Sequence, residues 1–455
     1  MPLSLILAAA VVLGLVPVLL RRPDWAVFSM TLILGLNLSH VLAVEHGVGI
    51  GSLALFAGMA GLAVANTVVH GDRPTGMSRY LLAVTIWLLA VLNSAVWSWA
   101  PESPLKYLRE FAPNVLLSAA LLLLITDRTR FLYACYGLAS AALILATLTV
   151  VQSAFGLWDQ TFLGLAKHAM GNIIDEVDSL RPTGPIEDPN YFAQMLLPGL
   201  GLWLGVTIVA RSLTFRLAAG LAVLIVTAAV LLTSSRGGVV ALGLMVLFWL
   251  VRERRLGVIA FLAPPLLATL LLMPGYAERL VTTASSAIAA FSGEDVNEAS
   301  VSGRLAEMGA AAQAFSEHPG AGLGYGTFQD FYQAQSVRLD LKLRSADRSA
   351  HSLYLEAAAE QGLPGLLALL VLIGLAYRAA FLARTAALRA GDTRLRAMID
   401  ALIAGATGLF AASLFLHDAY GQNVWIPLTL LFASERVTLF FPSFVTPNRK
   451  PVHAG

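Results

Sequence analysis

Apolar residues fall in runs of membrane length along nearly the whole chain. The runs cover residues 3–20, 25–44, 48–69, 79–97, 107–125, 131–153, 189–210, 217–233, 237–251, 256–273, 352–377, 399–416 and 423–443. A helix rises about 1.5 Å per residue, so about 20 apolar residues cross the roughly 30 Å hydrocarbon layer. The pattern therefore predicts an all-α polytopic membrane protein, a bundle of about 12 (12–13) transmembrane helices. The first run is marginal, 237–251 is short, and the last contains Glu435 and Arg436.

Composition agrees with that reading. Hydrophobic residues are 57% of the 455 and charged residues 13%, whereas soluble domains carry about 25% charged residues. A soluble or disordered chain is excluded on this balance. The net charge of +2 and the lack of a long basic tract give no expectation of nucleic acid. The single cysteine, Cys135, rules out an internal disulfide and a thiolate metal cluster. The first 20 residues carry neither a basic leader nor a clear small-residue cleavage site, and are expected to be a retained first span.

Basic residues set the orientation. Arg21 and Arg22, Arg73 and Arg79, Arg128 and Arg130, Arg211 and Arg216, Arg252 to Arg255, Arg378 to Arg396, and Arg449 with Lys450 all fall in alternate connections. That side is read as cytoplasmic. The two long connections then lie outside. The expected division is N-terminal helices 1–153, a first outer loop 154–188, central helices 189–273, a large outer loop 274–350, and C-terminal helices with a short cytoplasmic tail 351–455. The large loop predicts a helix, with Ser302 able to cap it and Leu305, Met308, Ala312 and Phe315 at helical spacing. It ends at His318-Pro319-Gly320, and glycines follow at 322, 324 and 326.

Several charged or titratable residues sit at the expected outer helix ends. Arg236, in Ser234-Ser235-Arg236-Gly237-Gly238, either anchors a helix end or offers its fork of donors to a phosphate or carboxylate. Arg304 runs against the dipole at the start of the loop helix, and faces either an anion or Glu307. His351 either makes one local hydrogen bond or accepts a proton from an attacking hydroxyl. Glu356 and Glu360 behind it are candidates to orient it. Arg181 is available to an anion at the end of the first outer loop, where Asp188 or Asn190 caps the next helix. Lys106, Arg109, Glu110, His417, Asp418 and Gln422 are further candidates to line an outer cavity. No zinc-protease His spacing and no Walker-type Gly-Lys-Ser/Thr run occurs. No metal site and no cofactor is expected.

In combination these pieces resemble the bacterial O-antigen ligase and polymerase superfamily. The resemblance rests on Gly184 to Ala193, on Ser234 to Gly238, on Arg304 followed by His318 to Phe328, and on His351 to Glu356 with Glu360 to Gly365 after it. Its histidine motif reads His-Ser-Leu-Tyr, where many relatives have His-Asn before the aromatic. The resemblance implies a GT-C-like membrane glycosyltransferase of about twelve spans, metal-independent and inverting. The donor would be an undecaprenyl-diphosphate-linked glycan and the acceptor a lipid A–core sugar, at the periplasmic face of a bacterial inner membrane. His351, Arg304 and Arg236 would take the catalytic positions, with Arg181, Asn190, Lys106, Arg109 and His417 binding substrate. Inner-membrane lipids are the remaining expected partners, and the chain is expected to be a monomer. An O-antigen or exopolysaccharide polymerase is the alternative within the superfamily, and a lipid-linked glycan transporter is the alternative of another class.

Overall fold

The computed structural model describes residues 21–47, scattered positions from 58 to 68, and then 76–98, 103–171, 179–252, 299–338, 349–417 and 421–439. Helix α1 spans Pro23–Gly35 and α2 Leu38–His46, bent 50° apart where Asn37 takes a left-handed conformation. Helices α3 (Ser78–Val96), α4 (Ser103–Leu124) and α5 (Arg128–Ala154) follow. A two-stranded antiparallel hairpin, β1 (Lys167–Gly171) with β2 (Ser179–Gly184), crosses to α6 (Pro189–Val209). Next come α7 (Leu213–Leu232) and α8 (Arg236–Arg252). Helices α9 (Ala299–Glu317) and α10 (Phe328–Arg338) belong to the large loop. Helices α11 (Leu353–Arg389), α12 (Thr393–Ala412) and α13 (Gln422–Thr438) complete the set.

Short polar residues fix several starts. Asp127 accepts from the amides of Thr129 and Arg130, Asp188 from Asn190 and Tyr191, and Asp392 from Leu395. Each satisfies donors that the first helical turn leaves open. Helix α12 is the most enclosed of the candidate spans, packed against α6, α8 and α11. Small residues permit the closest of these approaches. A Cβ on Gly201 of α6 would lie 2.7 Å from the backbone of Ala401 and Gly405 on α12. Two helix backbones meet there, as apolar helices in lipid do when glycine removes the side chain between them.

The expected bundle of about twelve spans is corrected. Among the described residues six helices are long and apolar enough to cross a membrane: α3, α5, α6, α7, α11 and α12. The bent pair of α1 and α2 makes a seventh if counted as one span. An apolar run is not yet a spanning helix, and particular runs fail for particular reasons. The run at 25–44 breaks at Asn37. Helix α4 spreads Lys106, Arg109 and Glu110 over its first half, leaving only Ala112–Leu124 as a short apolar helix. Within the described residues, helices α8 and α13 are 17 residues each. The runs expected at 3–20 and 256–273, and most of 48–69, lie outside the described residues. The chain remains a multipass helical membrane protein.

The loop helix α9 starts at Ala299, so Ser302 lies inside its first turn and does not precede it. Its inward face is also not the one expected. Glu307, Ala310, Ala311 and Ala314 are buried, whereas Ala312 is exposed and Met308 and Phe315 are only half-buried. The three alanines pack with Leu323, Phe328, Phe331, Tyr332, Ala350 and Ala359 in a small core of their own.

That core is joined to the membrane helices through a break in α11. Gly362 leaves the helix (φ 65°, ψ −163°) and Pro364 has no N–H to donate. The amide of Leu363 turns to Pro319 O at 2.8 Å. The carbonyls of Ala359 and Glu360 accept instead from the amides of Leu323 and Gly324, each at 2.9 Å, and Ser94 Oγ is a second donor to Glu360 O at 2.7 Å. The Glu360 carboxylate accepts from the amides of Gly326 and Phe328, at 2.9 and 3.2 Å, where α10 begins. The glycine-rich run is thus a donor ribbon for a broken helix. Gly322 is indispensable to it: φ is +72°, and a Cβ would lie 2.3 Å from the Glu360 carbonyl carbon. Gly322→Ala is expected to cost about 2 kcal/mol or more, read as a lower unfolding temperature of the detergent-solubilised protein. Gly320→Ala, whose Cβ meets nothing within 4 Å, leaves that temperature unchanged.

Candidate functional site

The latch brings the loop helix α9 onto the start of α11, and with it a carboxylate onto an imidazole. Glu307 Oε2 lies 2.9 Å from His351 Nε2, with the Glu307 side chain only 1% exposed and that of His351 21%. His351 itself takes φ 46°, a left-handed conformation that costs a non-glycine residue about 1–2 kcal/mol. Ser352 then caps α11, its Oγ accepting from Leu355 N. Oε2 faces Nε2 at ion-pair distance without hydrogen-bond geometry, which leaves Nδ1 as the ring's other nitrogen. That nitrogen is buried and makes no hydrogen bond among the described residues.

The connection after α12 forms the other wall. The His417 ring stands edge-on to His351, centroids 5.7 Å apart, and edge-on to Tyr191 at 5.4 Å. The Tyr191 hydroxyl lies 2.5 Å from His417 Nδ1 and 3.0 Å from its carbonyl oxygen. The same connection binds the start of α11, because Leu353 N donates to Ser413 O and Leu416 O. Desolvation, reinforced by the neighbouring His351, pushes the His417 pKa down to about 3 from 6.5. His417 is therefore a neutral ring near pH 7.

Arg236 opens α8 at this same end. The turn before it is tightly specified: Ser234 is left-handed (φ 52°), and Ser235 Oγ accepts from Gly238 N at 3.1 Å. Arg181, in the middle of β2, donates through Nε to Thr233 O at 2.9 Å and through Nη2 to Ser234 O and Asn190 Oδ1 at 3.4 Å. Its guanidinium thereby caps the carbonyl end of α7, where the dipole favours a cation. A Cβ on Gly237 would lie 3.4 Å from Phe415, two residues before His417, so the start of α8 abuts the connection that carries His417. Arg304 lies one turn before Glu307 on α9 and is half-buried.

One end of the bundle therefore collects His351, Arg236, Arg181, Asn190 and His417, with Arg304 on the helix that supplies Glu307. Lys106 and Arg109 fall in the first half of α4, and their side chains, like Asp418, lie outside the described residues. Gln422 is used elsewhere, tying α13 to Leu34 O and Asn37 of the first helix pair. Sequence reasoning gave Glu307 only to Arg304, and offered Glu356 or Glu360 to His351. The clue to Glu307 lay in helical spacing, since 307, 310, 311 and 314 share one face and the last three are alanines. Among the described residues, no three His, Cys, Asp or Glu side chains converge as a metal site.

Residues 221–370 match the family described as O-antigen ligase. The matched stretch contains Arg236, Arg304, Glu307 and His351, and excludes Arg181, Asn190, Lys106, Arg109 and His417. No curated protein matches the chain. A glycan-transfer reaction of the ligase or polymerase type, acting on lipid-linked substrates, fits this similarity and the multipass architecture.

The lowered pKa of His417 has a consequence for acid stability. The unfolded ring binds a proton near pH 6.5 and the folded ring only near 3. Between those values the unfolded state holds more protons, so the contribution is fully present above pH 6.5 and is lost as pH falls toward 3. Wild-type protein is expected to lose more thermal stability between pH 7 and pH 5 than His417→Gln does, measured by melting in detergent at each pH.

Proposed function

We propose that the chain is a membrane glycosyltransferase of the O-antigen ligase kind. It moves a glycan from undecaprenyl diphosphate to a sugar hydroxyl of lipid A–core, at the periplasmic face of a bacterial inner membrane. The observation that carries this reading is the His351–Glu307 pair, at the bundle end where Arg236 opens α8 and on the helix that holds Arg304, all within the matched stretch. The positive-inside distribution supports the assignment of that end to the periplasm.

The proposed chemistry needs no cofactor, because the glycosyl diphosphate is already activated. The acceptor hydroxyl attacks the anomeric carbon from the face opposite the diphosphate, forming the new C–O bond and inverting the centre. His351 Nδ1 takes the hydroxyl proton as the bond forms. The C–O bond to phosphate breaks, and its electron pair leaves with the undecaprenyl diphosphate. Arg236 and Arg304 stabilise the charge that develops there, through charge-assisted hydrogen bonds to phosphate oxygens. Glu307 acts through His351: its carboxylate faces Nε2 and compensates the imidazolium as it forms. Arg181 and Asn190 keep the Arg236 turn in place, and His417 with Tyr191 walls the acceptor side.

Arg236→Ala, Arg304→Ala and His351→Ala are each expected to lower transfer by about 100-fold or more while the chain still inserts. The assay is attachment of lipid-linked glycan to lipid A–core by purified protein. Wild-type turnover in any one variant removes that residue from its role. Glu307→Gln is expected to lower kcat with KM unchanged, and a chelator to leave the rate intact. Offering lipid A–core and a second lipid-linked repeat together tests the acceptor. Glycan joined to lipid A–core is the expected product, and glycan lengthened on its own carrier would replace ligation by polymerisation.

A further inference from the structure

The opposite end of the bundle holds a second charged constellation that the transfer chemistry does not use. Asp400, on α12, is 1% exposed and receives three arginines from three helices. Arg384 Nε of α11 lies 2.6 Å from Asp400 Oδ1, Arg252 Nε at the end of α8 lies 3.3 Å from the same oxygen, and Arg396 Nη1 lies 3.0 Å from Oδ2. Among the described residues, Arg252 and Arg384 together outweigh the single Asp400 carboxylate by one positive charge, and Arg396 has a further partner of its own. Arg252 and Arg384 make no other hydrogen bond or ion pair among the described residues, although Arg252 also lies over the Phe381 ring, 5.1 Å from its centroid. Each therefore keeps its Nη donors. The arginine side chains are only 20–30% exposed, so water reaches them incompletely.

Helix direction fixes where this cluster sits. Arg252 ends the helix that Arg236 begins, and 17 residues of α-helix separate the two ends by about 25 Å. Asp400 lies about two turns inside the start of α12, the depth at which arginines reach from hydrocarbon toward the headgroups. The flanking surface is apolar. Leu388, one turn beyond Arg384 on the same face, is 56% exposed, and Val251 beside Arg252 is 58% exposed. Surplus guanidinium donors beside bare aliphatic surface match one class of ligand, an acyl-chain lipid with an anionic phosphodiester. Guanidinium forks pair with phosphate oxygens at two points.

We propose that Arg252, Arg384 and Arg396 form a binding site for the headgroup of an anionic phospholipid in the leaflet opposite the transfer site, with Asp400 holding the three guanidiniums in one array. The carboxylate organises the array and also limits its charge, so the two kinds of substitution act in opposite directions. This inference is independent of the transfer reaction.

The test is native mass spectrometry of the full chain released from detergent micelles, with phosphatidylglycerol or phosphatidylcholine added. Phosphatidylglycerol is expected to remain bound preferentially. Arg252→Gln combined with Arg384→Gln is expected to weaken its retention by about fivefold for each guanidinium removed. Asp400→Asn, which removes the opposing charge, is expected to strengthen it. Equal retention of the two lipids overturns the site, as does unchanged phosphatidylglycerol binding in the double arginine variant. If Asp400→Asn weakens retention in a chain that still elutes as folded protein, the carboxylate is not limiting the charge and the array as described is wrong. Displacement of the lipid by inorganic phosphate alone would make the ligand a soluble anion and overturn the lipid assignment.

Discussion

A helix that breaks inside a protein leaves carbonyls without donors, and each such group, if buried, costs about 1–3 kcal/mol. Helix α11 breaks at Gly362 and Pro364, and the donors that repair it come from the large loop, from the amides of Leu323 and Gly324. The loop is therefore held to the membrane helices by their own backbone requirement. Every feature of the candidate site that the loop supplies depends on this repair. Helix α9 lies against the start of α11 because the ribbon after it is pinned one helical segment further on. Glu307 reaches His351 for the same reason. Glu360 fixes the ribbon a second time, by accepting from the amides that open α10.

Around that latch the bundle separates its polar chemistry by end. At one end, left-handed residues Ser234 and His351 turn the chain sharply at helix starts, and Arg181, Asn190, Tyr191 and His417 buttress those turns. At the other, three arginines surround Asp400 and Arg128 pairs with Asp392. The apolar helices between have little polar content and meet through small residues such as Gly201 and Gly405. Such a division suits a reaction whose substrates stay anchored in lipid: the reacting groups come to one face while the other keeps the protein oriented.

Membrane character and the helical class were legible because hydrophobic periodicity and turn chemistry are local. Asp188 as a helix cap and the helix within the large loop follow from such signals, whereas the roles expected of Arg236, Arg304 and His351 came from the family resemblance. The span count was not legible. An apolar run does not reveal a left-handed Asn37 within it, or whether 17 residues of helix extend further. Glu307 was missed because its partner lies 44 positions away in sequence, and only the latch brings them together. The glycines at 322, 324 and 326 read as a turn signal. Their actual work is to shape a ribbon in which Leu323 and Gly324 donate to the broken helix, Gly326 donates to the Glu360 carboxylate and Gly322 makes the close approach, and it depends on Gly362 and Pro364 being packed against them.

In the proposed reaction Arg236, Arg304 and His351 face one lipid-borne diphosphate at a single end of the bundle. The most direct measurement is an electron cryomicroscopy map of the chain in a lipid nanodisc with a non-hydrolysable undecaprenyl-diphosphate glycan analogue. The account predicts diphosphate density between the two guanidiniums, with the anomeric carbon toward His351 Nδ1. Density at the Asp400 end, or a bound analogue with Arg304 turned away from its phosphates, would contradict it.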